Sequence, residues 1–176
     1  YMHDLLAFNL VIVLVVILLV GIIGIVDDLL AFRKQEGEAL EKRFRANIAN
    51  ITALLAEVEP YEKERVEKIR SRIVESLEKN VGVEYDNNRL EQELIFYIEK
   101  LDVNEEKQRL TNHLGYFIET IEGSLGQGKK LGFIAQEMGR EINTLGSKSN
   151  HAEMQNIVVR MKDELEQIKE QVLNVM

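Results

Sequence analysis

The chain has 176 residues and a formal net charge of -8, enough for one ordinary domain with little left over. It has no cysteine and three histidines, which excludes disulfides, thiolate catalysis, cysteine-bound zinc and iron–sulfur clusters and disfavours an all-histidine metal site. One proline, eleven glycines and 30% charged residues suit a mostly helical chain, and the acidic balance means that any RNA contact has to come from a local basic surface.

The first predicted element is an apolar run. Residues Leu5–Val26 contain no charge, and Asn9, Gly21 and Gly24 are the only positions in it that are not apolar. As a helix these 22 residues span roughly 33 Å, slightly more than the hydrocarbon core of a bilayer. The stretch Leu10–Val20 is apolar on every face, a pattern that wants lipid or the centre of a large protein. The chain is too small to wrap it, so the expectation is a membrane-spanning helix over residues 5–26. A β-prone segment and a cleaved signal peptide are the alternatives. The latter fits poorly, because no Lys or Arg precedes the run and no A-x-A site ends it. Basic residues follow it at Arg33, Lys34, Lys42, Arg43 and Arg45, which places the remainder on the cytoplasmic side. The expected localisation is single-pass membrane, or cytoplasmic if the N-terminal segment is foreign to the protein.

From Leu29 to Val58 one amphipathic helix is predicted, with Leu40, Phe44, Ile48, Ile51, Leu55 and Val58 at spacings of three and four. Pro60 opens the next helix at its first turn, with Val66, Ile69, Ile73 and Leu77 as its stripe. Residues Asn80–Tyr85 form a connector. Asp86 is the expected N-cap of a third helix carrying Leu90, Leu94, Tyr97 and Leu101. Asp102, with Glu105 three residues on, begins a fourth helix with the stripe Leu110, Leu114, Phe117 and Ile121. Gly123–Gly128 is a glycine-rich linker. A fifth helix carries Leu131, Ile134, Met138 and Ile142 and ends at Gly146 as its C′ residue. Asn150 caps the last helix, in which Met154, Val158, Met161, Leu165, Ile168 and Val172 make a heptad seam. That seam suits either a coiled-coil interface or packing inside a bundle. No strand alternation appears outside the apolar run. The predicted fold is all-α: a transmembrane segment over residues 1–28 and, over 29–176, a cytoplasmic bundle of long antiparallel helices.

Two polar rows are candidates for chemistry. Asp102, Glu106, Arg109 and His113 share one face of the fourth helix, and Glu137, Glu141, Thr144 and Lys148 share one face of the fifth, flanked by Arg140. If these helices pair, carboxylates, cations and a histidine line one cleft. Oxygen ligands suit Mg²⁺ or Mn²⁺, imidazole is the side chain that titrates near neutrality, and guanidinium and ammonium groups grip phosphate. Such rows are equally the ordinary solvated faces of helices, with Asp102 as a cap and Glu106–Arg109 as an ion pair. Lys129 follows the glycines at 123, 126 and 128, without the spacing of a phosphate-binding loop.

The segment Gly128-Lys129-Lys130-Leu131-Gly132-Phe133-Ile134-Ala135-Gln136-Glu137-Met138-Gly139-Arg140-Glu141-Ile142-Asn143-Thr144-Leu145-Gly146-Ser147-Lys148-Ser149-Asn150 resembles the C-terminal signature of the YicC/YloC endoribonucleases. So do the closing Met161–Val172 and the motif Asp102-x-x-Glu105-Glu106-x-x-Arg109-Leu110-x-x-His113-Leu114. The resemblance runs from about residue 29 to 176. It implies metal-dependent hydrolysis of RNA phosphodiesters by an oligomeric cytoplasmic protein. Carried over by position, it implies catalytic roles for His113, Arg109, Arg140, Glu141 and Lys148, binding of Mg²⁺ or Mn²⁺ by Asp102, Glu106 and Glu137, and substrate contacts from Asn143, Ser147, Lys129 and Lys130. Family members begin with a substantial domain containing β-structure, and here residues 1–26 stand in its place. The expected function is therefore a truncated, membrane-tethered endoribonuclease acting on RNA. The alternative is a non-catalytic helical oligomerisation or scaffold module anchored in the membrane.

Overall fold

A computed structural model describes residues 2–81, 87–123 and 126–173, with side-chain surroundings given from residue 13 onward except at 77–78, 80–87 and 89. The expected cap at Asp86 and most of the 80–85 connector lie outside the described residues. The elements are α1 (Met2–Val81), α2 (Asn87–Lys100), α3 (Asn104–Ile121), α4 (Gly128–Lys148) and α5 (Ala152–Val172). Among the described residues there is no strand, and the all-α expectation holds.

The chain divides into two units, Tyr1–Arg43 and Phe44–Met176. In the first, the described part of the apolar run is solvent-facing throughout: Val13, Leu18, Ile23 and Leu30 are each about half exposed or more. It is long and apolar enough to cross a membrane, and none of its most apolar window is buried.

The second unit contains the later part of α1 and the four helices α2–α5. Its core is drawn from Phe44, Ile48, Ile51, Leu55 and Val58 of α1, Leu110, Leu114 and Phe117 of α3, Met138, Ile142 and Leu145 of α4, and Met161, Leu165 and Ile168 of α5. Apart from Leu145, these belong to the apolar stripes legible in the sequence. The rings of Phe44 and Phe117 meet edge-on with centroids 5.4 Å apart. The predicted stripe beyond Pro60 is shallower: Val66, Ile69 and Ile73 are only half-buried. Tyr97, assigned to the buried stripe of α2, is exposed, whereas Leu90 and Leu94 are buried.

Four local expectations are corrected. Pro60 does not start a helix; it lies inside α1. Gly146 does not end α4, which continues to Lys148. Its reason is packing: a Cβ there would lie 2.9 Å from Val158 Cγ1. Position 151, not 150, precedes α5; His151 is its N-cap without a side-chain cap bond, and Asn150 turns the chain at a φ of 36°. Asp102 stands two residues before α3, where its Oδ1 accepts from the Asn104 backbone N–H at 3.2 Å.

Glycine sets the α4–α5 contact. Gly132, Gly139 and Gly146 recur every seventh residue and face Val172, Leu165 and Val158 in that order. The descending partner numbers fix α5 antiparallel to α4. The heptad seam of α5 is thus packing inside the chain, against a column of missing side chains.

Candidate functional site

The polar rows do converge, on the α3–α4 interface. Glu106 lies in the apolar row of α3, between Val103 and Leu110, and is 2% exposed. A carboxylate so placed needs a cation. Lys148 supplies it: its Nζ donates to Glu106 Oε1 at 2.9 Å and to the Asp102 carbonyl at 3.0 Å. The other oxygen, Glu106 Oε2, is buried without a partner.

Arg109 joins the helices. Its Nε lies 3.2 Å from Glu141 Oε1, its Nη2 3.7 Å from Glu106 Oε1, and its Nη1 2.8 Å from Glu105. Glu141 is itself in the buried row of α4. These pairs set α3 and α4 antiparallel, with the end of α4 beside the start of α3. His113 lies one turn beyond Arg109 on α3, and Glu137 one turn before Glu141 on α4.

Other candidates stand apart. Arg140 is exposed and pairs with Glu137 on its own helix at 2.8 Å. Asn143 is exposed, and Ser147 Oγ donates to the Thr144 carbonyl. Lys129 and Lys130 begin α4, roughly 27 Å along the axis from Lys148, and Lys130 Nζ sits over the Tyr116 ring at 4.5 Å. The structure therefore unites Glu106, Arg109, Glu141 and Lys148, and keeps Lys129 and Lys130 at the opposite end of the helix.

The three carboxylates assigned to a divalent ion do not form one set. Asp102 bonds Asn104, Glu106 holds Lys148, and Glu137 holds Arg140. Among the described residues no group of three or more His, Asp or Glu side chains is arranged to bind a metal.

Several participants escaped the sequence reading. Arg65 of α1 is 5% exposed, and its Nη1 donates to the Lys148 carbonyl at 3.0 Å, occupying one of the open carbonyls at the end of α4. Burial holds its guanidinium below the usual arginine range, against the opposing pull of Glu62 and Asp102. Lys107 of α3 meets Glu62 of α1 at 2.9 Å. His151 is buried, with its Nε2 3.2 Å from Lys68 Nζ. The signal for Glu62 and Arg65 was present: they continue the heptad row of Ile51, Leu55 and Val58. Charges in an apolar row mark buried pairs. Their partners, 45 and 83 positions away in sequence, were not visible there.

A family model described as "Endoribonuclease YicC-like, C-terminal" matches residues 58–176. The chain is 37% identical over 147 residues to a Clostridioides difficile (strain 630) protein named "Probable endoribonuclease YicC", covering 81% of this chain and 50% of that protein. It is 31% identical over 158 residues to a Haemophilus influenzae protein of the same name, covering 90% of this chain and 55% of that protein. The chain spans about half the length of these curated relatives.

Proposed function

Because the chain belongs to the YicC-like endoribonuclease family, we propose that it cleaves phosphodiester bonds of RNA, with the α3–α4 charge network as the reacting region. The observation that carries this reading is Arg109, half exposed, held by Glu141 on one helix and by Glu105 and Glu106 on the other. Each of its three nitrogens faces a carboxylate, yet the guanidinium is half exposed, and the N–H groups it has left beyond those pairs are suited to an anionic phosphate. In this reading Arg109, Lys148 and Arg140 neutralise charge that develops on the phosphate. Glu106 and Glu141 hold Lys148 and Arg109 in place, and Glu137 holds Arg140. His113, next along the register, transfers a proton to or from the ribose oxygens.

No step of this reaction runs through a metal ion, since Asp102, Glu106 and Glu137 do not fit one as a set. Dependence on Mg²⁺ or Mn²⁺ is a separate proposal, resting on the unpartnered Glu106 Oε2. Mg²⁺ commonly takes one or two carboxylates and fills its shell with waters and substrate phosphates. Self-association and tethering to a bilayer through residues 5–26, with the second unit cytoplasmic, complete the proposal. The tether is supported by the fully exposed apolar window, and recovery in the soluble fraction after carbonate extraction would refute it.

Cleavage of a labelled structured RNA by the full chain tests the activity, with and without a chelator. His113→Ala and Glu137→Gln are expected to lower the rate by roughly 10²-fold, with folding checked by circular dichroism. Parent-like rates in both variants would remove these residues from the site. A folded parent that cleaves nothing would favour the non-catalytic helical module.

A further inference from the structure

Beside the network lies a basic recess of about 200 Å³, far more than the roughly 30 Å³ that one water occupies in the liquid. Arg65, Lys68 and Arg72 of α1 form one wall, and Asn150, His151 and Ala152, where α5 begins, form the other; among the described residues no carboxylate lines it. We propose that this recess holds a phosphoryl group, the backbone phosphate of a bound RNA strand. The assignment of the strand rests on the nuclease reading above, while the anion chemistry stands on the recess itself.

Two buried groups there have donors to spare. Arg65 spends Nη1 on the Lys148 carbonyl, but its Nε is buried without a partner. His151 Nε2 lies 3.2 Å from Lys68 Nζ. Nε2 also lies 3.7 Å from Glu64 Oε2; in the tautomer in which it accepts from Lys68, the ring proton sits on Nδ1. That Nδ1 is also buried without a partner. Both side chains are more than nine-tenths buried, so unmet donors are costly there. The first turn of α5 adds its own open N–H groups, with no side-chain cap to satisfy them, and the positive end of the helix dipole. Glu64 is the competing anion. It pairs with Lys68 at 2.6 Å and lies 3.7 Å from His151 Nε2, leaving Arg72 with no partner among the described residues.

The chemistry favours phosphate over a carboxylate ligand. Three cations and a helix N-terminus exceed what a single carboxylate would neutralise, and a guanidinium fork matches the tetrahedral oxygens of phosphate. The position favours RNA. Arg65 grips the backbone of Lys148, whose ammonium group reaches Glu106, so a strand anchored in the recess would run directly beside the charge network.

The test uses the full chain, without divalent ions, and a short single-stranded RNA titrated at several salt concentrations. Lys68→Gln and Arg72→Gln, both at exposed positions, are expected to reduce the slope of log affinity against log salt by about 1 each. Arg160→Gln, whose partner is Glu57, serves as a charge control and is expected to leave the slope unchanged. In the parent, inorganic phosphate is expected to shift the His151 ring resonances. Unchanged RNA slopes in both recess variants would overturn the proposal. If phosphate still shifted His151 in that case, the recess would be a site for free phosphate and the RNA assignment would fall. RNA bound through the recess but left uncut after Mg²⁺ or Mn²⁺ is added would refute the nuclease reading and leave the recess standing.

Discussion

Gly146 and Val158 are in contact so close that a Cβ on the glycine would lie 2.9 Å from Val158 Cγ1. The neighbour is a branched side chain in the core of α5, not the flexible end of a surface residue. Gly146→Ala is therefore expected to destabilise the protein by about 1–3 kcal/mol, despite the better helix propensity of alanine. Gly132 meets Val172 only at 3.7 Å, and Gly132→Ala is expected to be neutral or stabilising by up to about 1 kcal/mol. Urea denaturation of the two variants checks the order. Val158→Ala in the Gly146→Ala background is expected to recover part of the loss, as coupled neighbours do. Additive effects would show that the close approach is not what requires the glycine.

Lys148→Met leaves Glu106 buried beside Asp102 with its one short-range cation gone. Removing one partner of a buried pair costs about 3–5 kcal/mol, and a loss of that size is expected in chemical denaturation. Adding Glu106→Gln is expected to restore much of it, because the uncompensated charge is then absent. A parent-like midpoint for Lys148→Met would mean that Arg109, at 3.7 Å, suffices alone.

Leu165 is 2% exposed and faces Gly139. Leu165→Asp buries an unpaired charge inside the chain, and the expected outcome is loss of folding seen by circular dichroism. A folded variant with a smaller oligomer on size exclusion would instead place the α5 seam between subunits.

The carboxyl of Glu64 is held below the usual range, chiefly by its hydrogen bond to Lys68 and then by the charge of that lysine. A carboxylate whose folded pKa is depressed stabilises the fold above its unfolded pKa, and that contribution is lost as pH falls through the lower folded value. NMR titration of the side-chain carboxyl is expected to give a midpoint below the ordinary glutamate value, and Lys68→Met to move it upward. An unmoved midpoint in the variant would exclude Lys68 as the cause.

Most of the helical architecture was legible in the sequence, because burying one stripe forces apolar residues to recur at three and four. Leu110, Leu114 and Phe117 declared α3, and Leu131, Ile134, Met138 and Ile142 declared α4. The long uncharged run before Asp27 was equally plain. Local signals failed where tertiary contacts outweighed them. Gly146 looks like a helix stop, but only the approach of α5 explains it as packing space inside a continuing helix. Pro60 looks like a helix start, yet α1 passes through it.

The same division holds for the site. The sequence supplied the polar rows and, through their spacing, the faces they occupy. It could not show that Glu106 is buried while Arg109 is half exposed, since both belong to one regular row. That depends on which face α3 turns toward α4, and on Lys148 staying helical long enough to reach across. The basic recess was out of reach altogether: Arg65 and His151 are 86 positions apart in sequence, and only the return of the chain at Asn150 brings them to one cavity. Periodicity records what each helix must bury. Which buried charges meet is decided by pairing between helices, and that information lies in no single segment.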